Sequence, residues 1–137
     1  MSEFPRLVQT VLDATDARAL AEFYRELLGW TYRTGDEPPA SGVPDDADWL
    51  VLHDGTGGHA LAFQQVPALA RSTWPDDGVP QQLHLDLVVE HVEALENQRA
   101  RVLGLGATQL LDRSDDPDEP LYVFADLAGH PFCVFVG

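Results

Sequence analysis

The chain repeats itself, and that repeat constrains its fold more than any single motif. Displaced by 75 residues, Gln9 meets His84, Ala19-Leu20 meets Ala94-Leu95, and Leu27-Leu28-Gly29 meets Val102-Leu103-Gly104. Displaced by 71, Gly58-His59 meets Gly129-His130, and Leu61-Ala62-Phe63 meets Phe132-Cys133-Val134. Identities are few, but the order of predicted elements agrees throughout: strand, helix, three strands, twice. Self-similarity at one period signals duplicated supersecondary units. A unit of four strands and one helix covers one sheet face with its helix and leaves the other apolar face to be buried. Two such units are expected to curve their sheets around a shared cavity.

The element reading rests on periodicity and punctuation. Residues 6–13 alternate as a strand. Thr15 or Asp16 offers an N-cap, and Leu20, Phe23, Tyr24, Leu27 and Leu28 follow at helical spacing until Gly29, which predicts a helix over 16–28. Trp30–Arg33 reads as a short strand, and 35–48 as loop, with its three prolines and five acids. Trp49–His53 and Ala60–Val66 are predicted strands around a glycine-rich turn. Residues 67–80 read as linker. The second unit then gives a strand at Leu83–Val89 and a helix from Val92 to Leu103. Strands at Thr108–Leu111, Leu121–Ala125 and Pro131–Val136 complete it, with an acidic loop over 112–120. The expectation is one α+β domain over 1–137, made of two paired βαβββ modules, about 5–66 and 81–137.

Composition narrows the partners. With 8 basic and 23 acidic residues in 137, the formal charge is −15. An acidic chain repels phosphate, so neither nucleic acid nor an anionic membrane is expected as a partner. No apolar run approaches the length of a membrane span, and Met1-Ser2-Glu3-Phe4-Pro5-Arg6 lacks the basic start and apolar core of a signal peptide. The single cysteine, Cys133, excludes an internal disulfide and a cysteine-cluster zinc site. The default address is the cytoplasm. The acidic runs read as solvated loops, with attraction for a cationic ligand as their functional alternative. Asp115-Asp116-Pro117-Asp118-Glu119 lacks the alternation and glycine of a calcium loop.

Three segments carry a family resemblance: Ala21-Glu22-Phe23-Tyr24-Arg25-Glu26-Leu27-Leu28-Gly29-Trp30, Leu83-His84-Leu85-Asp86-Leu87, and Phe124-Ala125-Asp126-Leu127-Ala128-Gly129-His130-Pro131-Phe132. Through them the chain resembles the vicinal oxygen chelate superfamily, which includes glyoxalase I, bleomycin-resistance proteins and extradiol dioxygenases. The resemblance implies a homodimer. In the metal enzymes of that superfamily it also implies one ligand on the first and last strand of each module, which falls here on Gln9, Ala62, His84 and Cys133. Ala62 has no donor, Gln64 two residues on shares its face, and Cys133 stands where glyoxalase chemistry requires a glutamate. That set does not favour a divalent metal, and it argues against glyoxalase I itself.

The chemistry that remains centres on His84, as ligand, base or hydrogen-bond donor, with Asp86 on its face to orient the imidazole. Gln9, Gln64, Asp86 and Cys133 are the other candidate ligand-binding residues, with Trp49, Phe63 and Phe135 as aromatic walls. Cys133 also reads as an apolar filler. Trp74, beside Pro75 in the linker, is a candidate cover for a pocket mouth or a dimer contact. The expected function is binding of a small organic molecule in the inter-sheet cavity, with a degenerate metal site. Two alternatives stand beside it. One is a metal-dependent lyase, isomerase or dioxygenase using His84 and Gln9. The other is a drug-sequestering protein of the bleomycin-resistance type.

Overall fold

The computed structural model describes residues 4–137. The chain divides into two compact units between Leu69 and Ala70. In order, the first contains β1 (Gln9–Ala14), α1 (Ala17–Leu28), β2 (Thr31–Tyr32), β3 (Trp49–His53) and β4 (Ala60–Gln65). The second contains β5 (Leu85–Val89), α2 (Val92–Gly104), β6 (Thr108–Arg113), β7 (Leu121–Ala125) and β8 (Pro131–Val136). Each unit is a βαβββ module with a four-stranded mixed sheet, ordered β1-β4-β3-β2 in the first and β5-β8-β7-β6 in the second. In each, the first and last strands pair in parallel.

The duplication extends to strand register. Val11 pairs with Ala62 in the first sheet and Asp86 with Cys133 in the second. These are the same two positions under the displacements of 75 and 71. Because side chains alternate faces along a strand, each position in one sheet has a defined counterpart in the other.

In the first unit α1 covers one sheet face. Asp16 accepts a hydrogen bond from the Ala19 amide at 3.0 Å, which caps the helix start. Gly29 ends the helix at φ +70°, a conformation that a side chain would strain, and its N–H donates to the Arg25 carbonyl. One face of α1 buries Leu20, Phe23, Tyr24 and Leu27. Tyr24 stacks on Phe63 with ring centroids 5.8 Å apart. Leu12, Phe63 and Leu50 are successive register partners, and all are buried. They are the sheet's contribution to this core. Gln65 anchors the helix start, accepting from the Ala17 amide at 2.8 Å.

The helix of the second unit is capped differently. His91 accepts from the Ala94 amide through Nδ1 at 3.1 Å, a role its sequence context does not announce. Only Leu95 and Val102 of α2 are buried. The core beneath it is aromatic, with Phe124 and Phe132 at 5.5 Å and Tyr122 and Phe124 at 6.0 Å. Both units hold a tyrosine between a helical glutamate and an arginine. Tyr32 donates to Glu22 under Arg18, and Tyr122 donates to Glu96 under Arg99.

Several boundaries differ from those expected. β1 begins at Gln9 rather than Arg6, leaving Leu7 exposed. β5 begins at Leu85, so His84 stands immediately before it. β6 runs to Arg113 rather than Leu111, through an irregularity between Gln109 and Leu111. It is an edge strand, where charged side chains are tolerated and discourage further pairing. Residues 70–80, read as linker, belong to the second unit. There Arg71 donates to the Leu127 carbonyl at 2.9 Å. The turns before His59 and His130 are not alike. Gly55 and Gly57 are left-handed in one, and Gly129 alone in the other.

Candidate functional site

The face of the second sheet turned away from its aromatic core collects the chemistry. Asp86, Cys133, Val123 and Leu111 form one row across all four strands, as successive register partners. The next row is Val88, Phe135, Leu121 and Arg113. His84 lies two residues before Asp86, and its Nε2 is 3.3 Å from Asp86 Oδ1. The pair is half exposed, at 50% and 58%. The carboxylate lies within reach of the imidazole and can orient it.

A cavity of about 270 Å³ opens over these rows. Leu111, Leu121, Val123 and Cys133 line it with apolar surface, Asp86 on β5 and His84 just before it from one edge, and Arg113 and Glu119 from the far side. Trp74 and Gln81 complete the wall. Trp74 is placed by a loop that Thr73 closes: its N–H donates to the Val79 carbonyl at 2.7 Å and its hydroxyl accepts from the Val79 N–H at 2.8 Å. The Trp74–Pro75 peptide is cis.

Cys133 is buried at the cavity floor. Burial, followed by the negative charges of Asp86 and Glu119, pushes its thiol up to about 11. At neutral pH that favours the protonated thiol, a poor nucleophile. In its present environment it serves as apolar lining.

The corresponding face of the first sheet has other chemistry. Val51, Ala60 and Ala62 form a buried cluster with Trp49 packed against it. Gln9 lies on this face opposite Ala60, and Gln64 lies opposite Trp49 and Asp13. Gln64 is exposed and shares the side of Ala62, as alternation requires. Phe63 does not share it. Expected as a cavity wall, it is fully buried against Tyr24 on the helix side. It neighbours Ala62 in sequence, and adjacent strand residues face opposite ways. Phe135, also expected as a wall, stands in the Val88 row of the second sheet, on the face of Cys133, but does not line the cavity.

The structure thus brings His84, Asp86 and Cys133 together in one cavity and sets Gln9, Gln64 and Trp49 on a different sheet. Arg113 and Glu119 escaped the sequence reading. Glu119 is two residues before Leu121 and so was accessible to alternation. Arg113 required the register of β6.

A family model for the glyoxalase-like domain matches residues 9–135. The chain belongs to that family. Solved structures agree on the fold of this glyoxalase-like chain. A glyoxalase/bleomycin resistance protein/dioxygenase family enzyme from Burkholderia phytofirmans superposes with a TM-score of 0.69 at 15% identity, covering 96% of this chain and 98% of that one. A lactoylglutathione lyase from Agrobacterium tumefaciens gives 0.62 at 17% identity, covering 99% and 96%. A fosfomycin resistance protein from Listeria monocytogenes, complexed with Mn(II) and a dihydroxypropylphosphonic acid, gives 0.68 at 14% identity, covering 100% and 94%. No curated protein matches the glyoxalase-like chain.

Members of this superfamily that use a metal imply one here, and the donor chemistry does not fit it. Ala62 offers no donor atom, and Gln9 and Gln64 lie on a different sheet from His84 and Cys133. Among the described residues, no three His, Cys, Asp or Glu side chains are grouped to hold a metal. Among them, too, no helix is long and apolar enough to cross a membrane.

Proposed function

We propose that this glyoxalase-like protein binds a small organic molecule on the far face of its second sheet, over Cys133, with His84 as the proton carrier at the rim. The observation that carries the reading is the convergence of the His84–Asp86 pair and an apolar floor in one cavity of about 270 Å³. Pockets of this kind, mostly apolar with a few placed polar groups, are the usual sites for small ligands. Asp86 holds the imidazole, leaving its other nitrogen to donate to or accept from a ligand. Trp74 and the leucines exclude water from the bound face of that ligand.

The reading needs no resident metal. Elemental analysis of untagged protein, after zinc, nickel, manganese and iron(II) have been offered, is expected to find none at stoichiometric level. A stoichiometric metal that is lost in His84→Ala would overturn the reading and favour the metal-dependent lyase, isomerase or dioxygenase.

A further inference from the structure

The cavity's charges point to the sign of its ligand. Its two carboxylates are Asp86, on β5, and Glu119, just before β7. Its only guanidinium is Arg113, on β6. That guanidinium is already engaged, with Nη2 3.6 Å from Asp116 Oδ2. In strand order β5 and β6 are opposite edges of the sheet, about 14 Å apart at three inter-strand spacings. Asp86 therefore stands at the end of the cavity far from Arg113. Between them lies uncharged floor: Cys133, Val123, Leu121 and Leu111.

An anion entering this cavity meets two carboxylates, Asp86 and Glu119, against one guanidinium at the far edge and the His84 imidazole beside Asp86. A cation meets two carboxylates and the indole of Trp74, whose face attracts positive charge. The phosphonate bound by the Listeria protein is the wrong sign for such a wall.

We propose that the ligand is an organic cation, a protonated or quaternary amine carried on a flat apolar body, with its charge at Asp86 and its body on the Leu121–Val123–Cys133 floor under Trp74. This rests on the site reading above and adds the ligand's chemical class to it. Asp86 and Glu119 are its counter-ions.

The test uses three probes of one shape: (2-naphthylmethyl)trimethylammonium, 2-naphthylmethanol and 2-naphthylacetate. Binding is measured calorimetrically on the full chain at about pH 8, above the range of an ordinary imidazole. The cation is expected to bind at least about tenfold more tightly than the other two, and to weaken as salt is raised and charges are screened. Asp86→Asn, and separately Glu119→Gln, are each expected to weaken it at least about fivefold with unchanged circular dichroism. Asp46→Asn, in the acidic loop of the first unit, is expected to leave it unchanged.

The outcomes separate the two claims. If none of the probes binds, the site reading fails and this inference with it. If the neutral or anionic probe binds as tightly as the cation, the site stands and the charge assignment is overturned. Equal losses from Asp46→Asn and Asp86→Asn would also overturn it, by tracing the attraction to the chain's overall charge of −15.

Discussion

Val11 and Asp86 hold the same place in two sheets of one design, each paired with the last strand of its own unit, Val11 with Ala62 and Asp86 with Cys133. Val11 is exposed, and the neighbours of its partner Ala62 are Val51, Ala60 and Trp49, which pack as an apolar cluster. Around Asp86 they are His84, Cys133, Val123 and Glu119, which line a cavity. The register agrees at this position, so the local difference lies in the side chains. A duplicated module can keep one copy for packing while the other carries titratable groups, because register fixes which positions share a face and leaves their chemistry free.

That contrast makes ordered predictions. The largest effect is expected from Phe63→Ala, which empties the helix-side core of the first unit. It should cost about 3–5 kcal/mol by denaturant unfolding, as such truncations do. The folded fraction should keep its affinity for the naphthyl cation within about twofold. A matching loss of affinity would break the division between a packing half and a binding half.

Cys133 gives the next. With its thiol pushed up to about 11, roughly 0.1% is thiolate at pH 8, against about a quarter for an ordinary thiol. Alkylation by iodoacetamide is expected to be about a hundredfold slower than for free cysteine. Asp86→Asn, which removes one of the charges raising the thiol, should speed it. The same shift has a stability sign. The folded state holds the proton more tightly than the unfolded state, so the contribution is complete below about pH 8.5 and is lost as pH rises toward 11. Tyr32, held up to about 12 mainly by burial, extends that alkaline loss. Chemical unfolding across pH 8 to 11 checks the direction.

The hairpin turns sharpen the comparison at smaller scale. Asp126 is buried and accepts from the amides of Ala128 at 2.9 Å and His130 at 3.0 Å. Asp126→Ala strands those donors and should cost roughly 2 kcal/mol. Asp54, in the exposed turn of the first unit, accepts from the Thr56 amide and hydroxyl. Asp54→Ala should leave the unfolding midpoint within error, because water replaces those bonds. Between these two falls His91→Ala, which removes the cap of α2 at about 1 kcal/mol. Since α2 buries only two side chains, hydrogen exchange at its first turn should rise more than the global midpoint falls.

Much of the fold was legible because its signals are local. The Asp16 cap, the Gly29 stop and the 3.6-residue spacing of Leu20, Tyr24 and Leu27 define α1 unaided. The displacements of 75 and 71 carried the pairing of Val11 with Ala62 onto that of Asp86 with Cys133. The site was less legible, because membership of a face needs strand ends and register. Phe63 read as a wall until alternation set it opposite Ala62. Arg113 read as loop because a register irregularity let β6 run two residues further than its apolar pattern. Trp74 lay in a stretch rich in proline and acid that resembles a linker; the Thr73–Val79 closure shapes it, and the Arg71–Leu127 bond ties it to the second unit.

The most direct test is amide chemical-shift mapping with (2-naphthylmethyl)trimethylammonium on the isotopically labelled full chain. The account expects the largest shifts at His84, Asp86, Leu121, Val123 and Cys133, with Val11, Val51 and Ala62 unmoved. Shifts concentrated on Val11, Val51 and Ala62, with His84 and Cys133 silent, would contradict it.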